Sequence, residues 1–262
     1  MGQGNDDDIR QRVLRGGRVA GAMVFECFSP GMPAILQQAG CEFALFDMEH
    51  AGLGYETFKA CVAGCRGLPI SPMVRVPTAG YTWLARALDV GAEGVMVPMV
   101  ESVEQARLIV ESVRYPPLGR RGAAFGMAHD HYAVGPVTDK IAAANRRNLV
   151  IAQIESERGL AVVEQIAAVE GIDVLWVGHF DLSNFLGIPG QFDSPVFDAA
   201  VDRIVAAARA HGKALGFMAS DAGWVKWARD KGFNMVAAGP DHGLLRTAFA
   251  GLVGQIRATG AS

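Results

Sequence analysis

The feature that most constrains this chain is an alternation of short apolar runs with longer helical stretches, sustained from one end to the other. The runs are Val19–Phe25, Phe43–Phe46, Ser71–Val76, Gly94–Val97, Leu149–Ile154, Val174–Val177, Ala214–Met218 and Met235–Ala238. Most are rich in Val, Ile, Leu, Phe and Met without polar alternation, as strands buried on both faces are. Between them Tyr55–Cys65, Thr82–Leu88, Val103–Val113, Gly159–Val169, Val196–Ala210, Ala222–Lys231 and His242–Arg257 carry helical periodicity. Ser220-Asp221 and Ser194-Pro195 supply helix starts, and Gly171, Gly212 and Gly232 sit just past helix ends. Eight strand–helix units predict one (β/α)8 TIM barrel over residues 1–262, with 1–14 a flexible N-terminal segment. The alternative is an open doubly wound sheet, but no Gly-x-Gly-x-x-Gly turn follows the first strand.

Half of the 262 residues are hydrophobic, 19% are charged and the net charge is −3, so no basic footprint for nucleic acid is present. The acidic N-terminus lacks an apolar signal core, and no apolar run approaches the roughly 20 residues that cross a bilayer. A soluble, cytoplasmic protein with no membrane partner is expected. Cys27, Cys41, Cys61 and Cys65 lack metal-site spacing and read as buried small residues in a reducing compartment.

In such a barrel the active site lies at the C-terminal ends of the strands. Asp47-Met48-Glu49-His50 follows the second run, Arg75 closes the third, Gln153-Ile154-Glu155 the fifth, and Gly178-His179-Phe180-Asp181 follows the sixth. Asp89 ends the helix before the fourth, while the first and eighth strands supply little ionisable chemistry. Glu155 and Asp181 emerge from adjacent strands, and paired carboxylates repel unless a proton or cation separates them. Two carboxylates with waters and substrate oxygens are a common way to hold Mg²⁺ or Mn²⁺. The competing reading pairs each acid with a neighbouring arginine such as Arg158. An unperturbed histidine has a pKa of about 6.5, which suits proton transfer near neutral pH, so His50 could move protons or be merely solvated. Arg75 could be structural or could stabilise a developing enolate oxygen. Gly178 permits close backbone approach, and free amides at the following helix start can receive a carboxylate.

One segment breaks the rhythm. Tyr115–Arg147 is long enough to be functional, and its His129, Asp130 and His131 read either as loop-tip polarity or as groups touching substrate from above.

Taken in order, these residues resemble the HpcH/HpaI class II pyruvate aldolases. The resemblance runs from Arg15 to Arg257 and rests on Phe46-Asp47-Met48-Glu49-His50-Ala51, Val74-Arg75-Val76, Leu88-Asp89-Val90-Gly91-Ala92 and Val97-Pro98-Met99-Val100. Arg114-Tyr115-Pro116-Pro117, Arg120-Arg121-Gly122, Gln153-Ile154-Glu155, and Gly178 with Asp181-Leu182-Ser183 continue it. It implies a cytoplasmic lyase of aromatic compound catabolism, a hexamer exchanging its last helix, and a divalent ion (Mg²⁺, Mn²⁺ or Co²⁺) on Glu155 and Asp181. It implies pyruvate and an aldehyde as substrates, with Gln153 and the Phe180 amide on the oxo acid. His50 matches the general base, Asp89 the acid that raises its basicity, and Arg75 the group that steadies the enolate. An oxaloacetate decarboxylase or an acyl-CoA lyase would use the same enolate, the latter with Arg114, Arg120 and Arg121 as candidate phosphate contacts. A catalytically silent barrel is a third reading, opposed by the intact polar set. The chain departs from the family pattern at Met48, His179 and Phe180, and in the bulky loop Phe125–Tyr132, all of which bear on the aldehyde.

Overall fold

The computed structural model describes residues 8–259. Strands β1 (Val19–Val24), β2 (Phe43–Asp47), β3 (Ser71–Arg75), β4 (Gly94–Val97), β5 (Leu149–Ile154), β6 (Val174–Val177), β7 (Ala214–Ala219) and β8 (Met235–Ala238) close into one barrel in chain order. Every neighbouring pair is parallel, including β8 with β1. The predicted (β/α)8 barrel is therefore the fold observed.

Side chains alternate across each strand, so every second residue points into the lumen. Val19 and Met23, Phe43 and Leu45, Met73, Met96, Leu149 and Ile151, Val174 and Trp176, and Met235 and Ala237 form this inner core. The intervening residues, among them Ala44, Phe46, Val74, Val95, Val150, Ala152, Leu175 and Val177, pack outward under the helices. The lumen fits its large rings only beside glycine: a Cβ at Gly216 would lie 2.1 Å from the Trp176 ring.

The helices are α1 (Ile9–Leu14), α2 (Met32–Gln38), α3 (Tyr55–Cys65), α4 (Tyr81–Asp89), α5 (Val103–Val113), α6 (Val137–Arg147), α7 (Glu157–Ala161), α8 (Val163–Ala167), α9 (His179–Phe185), α10 (Pro195–Ala210), α11 (Ala222–Lys231) and α12 (Asp241–Thr259). The predicted Gly159–Val169 helix is two short ones, broken at Val162. The segment predicted flexible is a helix from Ile9 onward: Asp8 caps it through the Gln11 amide (2.9 Å), and Val13 is buried. Residues 1–7 lie outside the described residues. Among the described residues no helix is long and apolar enough to cross a membrane.

The N-terminal face of the barrel is sealed by paired charges. Buried Asp173 accepts Arg10 Nε (2.9 Å), Arg114 Nη2 (3.3 Å) and the Val150 amide (2.9 Å). Arg114 Nη1 also donates to the Asn145 and Asn148 carbonyls at 2.8 Å each. Burial pulls the Arg114 pKa down to about 10, with Asp173 opposing the shift.

Candidate active site

The period-two register that fills the lumen also builds its mouth. Continued past the inward residues of β2, β3, β5 and β6, it points Asp47, Glu49, Arg75, Gln153, Glu155 and Gly178 to one end of the barrel axis. Asp47 and Arg75 are register partners, and Arg75 Nε donates to Asp47 Oδ1 at 2.6 Å. Arg75 Nη1 lies 3.0 Å from Glu49 Oε2, an ion pair without a directed hydrogen bond, since that oxygen has no hydrogen-bond partner. A guanidinium so held is fixed in direction. The half-exposed ring of His50 stands 3.7 Å from the same Glu49 oxygen, and the His50 amide donates to Asp47 Oδ2 (2.8 Å).

Glu155 is 1% exposed. Its Oε1 accepts the Met99 amide at 2.8 Å, and Gln153 Nε2 donates to its Oε2. Met99 follows β4 in the left-handed region (φ +51°), a conformation uncommon for a side-chain-bearing residue, and this aims its amide at the carboxylate. Gly178 is required by proximity: a Cβ there would sit 2.2 Å from Glu155 Oε2 and 2.7 Å from Gln153 Nε2. Asp181 is half-buried in the first turn of α9.

Burial raises the Glu155 pKa to about 7, the carboxylates of Glu49 and Asp181 adding to the shift against the bonds from Met99 and Gln153. Burial likewise lifts Glu49 to about 7; Arg75 opposes this, while Asp47 and Asp181 reinforce it. Arg158, the competing partner considered from sequence, instead reaches Glu101 at 3.5 Å. Among the described residues no basic side chain forms an ion pair with Glu155 or Asp181. Gln153 Oε1 and Glu49 Oε2 are buried acceptors without a hydrogen-bond donor. Excess negative charge and unsatisfied acceptors at one point fit a bound cation. No group of three or more His, Cys, Asp or Glu side chains forms a ready-made metal cage among the described residues. A site with two protein carboxylates would take its remaining ligands from water or substrate oxygens.

Two sets of residues singled out in the sequence lie elsewhere in the protomer. Asp89 ends α4 on the N-terminal face, where its carboxylate accepts Arg121 Nη2 at 2.7 Å. The Phe125–Tyr132 loop is on that face too. His129 and His131 line a cavity of about 640 Å³ with Arg12, Glu42, Glu93 and Arg147, and His129 Nε2 is 2.7 Å from the Ala124 carbonyl. These residues follow helices rather than strands, and a helix returns the chain to the N-terminal end of the barrel. Arg114 and Arg121 are buried and paired there, which removes two of the three candidate phosphate contacts of an acyl-CoA site.

Sequence reasoning missed Asp241. Only 6% exposed, it accepts amides from Phe25 (2.9 Å), Glu26 (3.2 Å) and Cys27 (2.8 Å), tying the exits of β1 and β8 together. The signal was its place directly after the eighth strand.

The whole chain has counterparts among known proteins. The HpcH/HpaI aldolase/citrate lyase family description matches residues 8–248. A 5-keto-4-deoxy-D-glucarate aldolase of Escherichia coli (strain K12) is 34% identical over 247 residues, covering 93% of this chain and 96% of the relative. The crystal structure of an HpcH/HpaI aldolase from Desulfitobacterium hafniense DCB-2 superposes with a TM-score of 0.91 at 30% identity, covering 95% and 96% of the two chains. Citrate synthase SbnG superposes with a TM-score of 0.86 at 27% identity, covering 97% and 99%. The chain belongs to the HpcH/HpaI aldolase/citrate lyase family. It is a carbon–carbon lyase acting on small molecules.

Proposed function

We propose that this lyase reversibly cleaves a 4-hydroxy-2-oxo acid to pyruvate and an aldehyde. The observation that carries the reading is the buried Glu155 carboxylate facing Asp181 and Glu49 with no basic partner. Glu155 and Asp181 would hold a divalent cation (Mg²⁺, Mn²⁺ or Co²⁺), which when bound supplies Lewis acidity to the 2-oxo group and charge to balance an enolate. Gln153 and the Phe180 amide, free at the start of α9, would orient the oxo acid's carboxylate. Arg75, fixed by Asp47 and Glu49, directs its remaining donors at the oxygen on which enolate charge develops. His50, half exposed at the rim, takes the proton from the C4 hydroxyl as the C3–C4 bond breaks and returns it in synthesis.

Asp89 could raise the basicity of His50 only across a subunit boundary, because its own chain places it at the opposite end of the barrel. An oligomer, a hexamer by family resemblance, is supported by α12. Leu244, Leu245, Phe249, Leu252, Val253 and Ile256 on that helix are exposed, and its one buried residue is Asp241. Exchange of this helix between subunits would cover that face. The free thiols of all four cysteines are consistent with a cytoplasmic setting.

The test is proton exchange. Protein incubated with pyruvate in deuterated buffer should exchange the methyl protons when Mn²⁺, Mg²⁺ or Co²⁺ is present and stop when the ion is chelated, as followed by NMR. No exchange with any of the three ions would end the aldolase reading.

A further inference from the structure

The aldehyde has no assigned contacts in the site described above, yet one wall of the mouth remains. It is built where β1 and β8 end. Phe25 continues the inward register of Val19, Gly21 and Met23, and Asp241 fixes its backbone through the amides of residues 25, 26 and 27. The Phe25 ring lies against the Arg75 guanidinium, with Cζ 5.5 Å from the ring centroid. It meets the His242 ring at right angles, the centroids 6.0 Å apart. His50, Glu49, Arg75, Phe25 and His242 therefore form a continuous arc along the rim, each touching the next. The proton-moving group is at one end, the enolate-steadying group in the middle, and two flat rings at the other end.

The charges on this arc are already matched. Arg75 is committed to Asp47 and Glu49, and His242 Nδ1 is 3.6 Å from Asp241 Oδ1. Exposed Glu26 adds negative charge beside them. An aldehyde ending in a carboxylate would meet no uncommitted cation here, whereas an aryl ring would find an edge and a face to pack against.

We propose that Phe25 and His242 form the acceptor subsite and that the aldehydes this enzyme takes are aryl aldehydes rather than carboxylate-terminated ones. In the synthetic direction the enolate C3 attacks the aldehyde carbon. The enolate π pair becomes the new C–C bond, and the carbonyl π pair moves to oxygen. That oxygen takes, through His50, the proton that pyruvate C3 gave up when the enolate formed, so pyruvate and aldehyde combine with nothing lost. The inference rests on the aldolase reading, and its test separates the two.

With Mn²⁺ and pyruvate, kcat/KM is measured for benzaldehyde and for succinic semialdehyde, alongside methyl-proton exchange without any aldehyde. The expected wild-type ratio favours benzaldehyde. From the usual worth of a ring–ring contact, Phe25→Ala should lower that ratio about ten-fold and His242→Ala about three-fold, while Phe25→Tyr preserves it. The His242 side chain is half exposed, so His242→Ala keeps the test available if Phe25→Ala fails to fold. A wild-type preference for succinic semialdehyde, or a ratio unmoved by His242→Ala and by any folded Phe25→Ala, overturns the subsite while exchange still upholds the aldolase. Absence of both exchange and addition overturns the two together.

Discussion

The two ends of this barrel handle buried charge in opposite ways. At the N-terminal end Asp173 is enclosed by Arg10, Arg114 and the Val150 amide, and Asp89 is matched by Arg121. At the C-terminal end Glu155, Asp181 and Glu49 crowd together, and buried acceptors on Gln153 and Glu49 lack donors. A buried charge with a partner is structural; buried charges of one sign without partners cost stability and persist where a ligand completes them. The two ends share one strand architecture, so the contrast reflects which residues fall after a strand and which fall after a helix.

That contrast can be broken experimentally. The largest effect is expected at the C-terminal end. Gly178→Ala, which drives a methyl group into Glu155, and Asp181→Ala should each cut metal-dependent exchange on the order of 10³-fold and abolish Mn²⁺ binding in calorimetry. Arg75→Ala should lose turnover while retaining most of the Mn²⁺ affinity. At the other end Asp173→Ala leaves Arg114 buried and unpaired and should cost about 3–5 kcal/mol in denaturant unfolding. Its folded fraction should exchange pyruvate protons at the wild-type rate, and a loss of that rate would erase the distinction between the ends.

A further variant sharpens the comparison through pH. His179 is buried among Phe180, Phe192, Phe217 and Trp224, and that burial lowers its pKa to about 4. The unfolded chain takes up a proton near pH ~6.5 that the folded chain refuses until about pH 4. Stability from this group is thus present in full above pH ~6.5 and falls as pH drops through that window, by about 3 kcal/mol in all. His179→Phe should flatten that part of an acid unfolding profile; an unchanged profile would show that the ring is not held neutral. The smallest effect is expected at Met99. Met99→Gly should relieve the left-handed backbone, keep the amide on Glu155, and change unfolding free energy by no more than about 1 kcal/mol.

The fold was legible because lumen and helix-facing residues are both apolar, so each strand reads as a short unbroken run with turn residues at its ends. Strands β4, β5, β6 and β8 begin and end as the sequence predicts. The helices not predicted, α1, α2 and α6, are short or bury little: α6 has Ala144 as its one buried residue, so no apolar stripe marks it. In the site, Glu155, Asp181, Gln153, Arg75 and His50 were legible as polar residues at strand ends. Asp47 and Glu49 stood in the same motif, but their grip on Arg75 depends on register between β2 and β3, which spacing within one strand does not reveal. The long Tyr115–Arg147 segment drew attention by its length, when its position after α5 already assigned it to the far face.

The bonds from Asp241 to the turn after β1 join residues as many as 216 positions apart. Contacts of such separation form late, since a long loop must close before they repay its entropy. On a ribosome, the chain would emit all eight strands, with nearly every acid and base of the mouth, before the carboxylate that fixes Phe25 emerges. The Phe25 wall is therefore fixed only after the eighth strand has been made, and a chain cut before Asp241 keeps the other strand-end residues of the mouth without it.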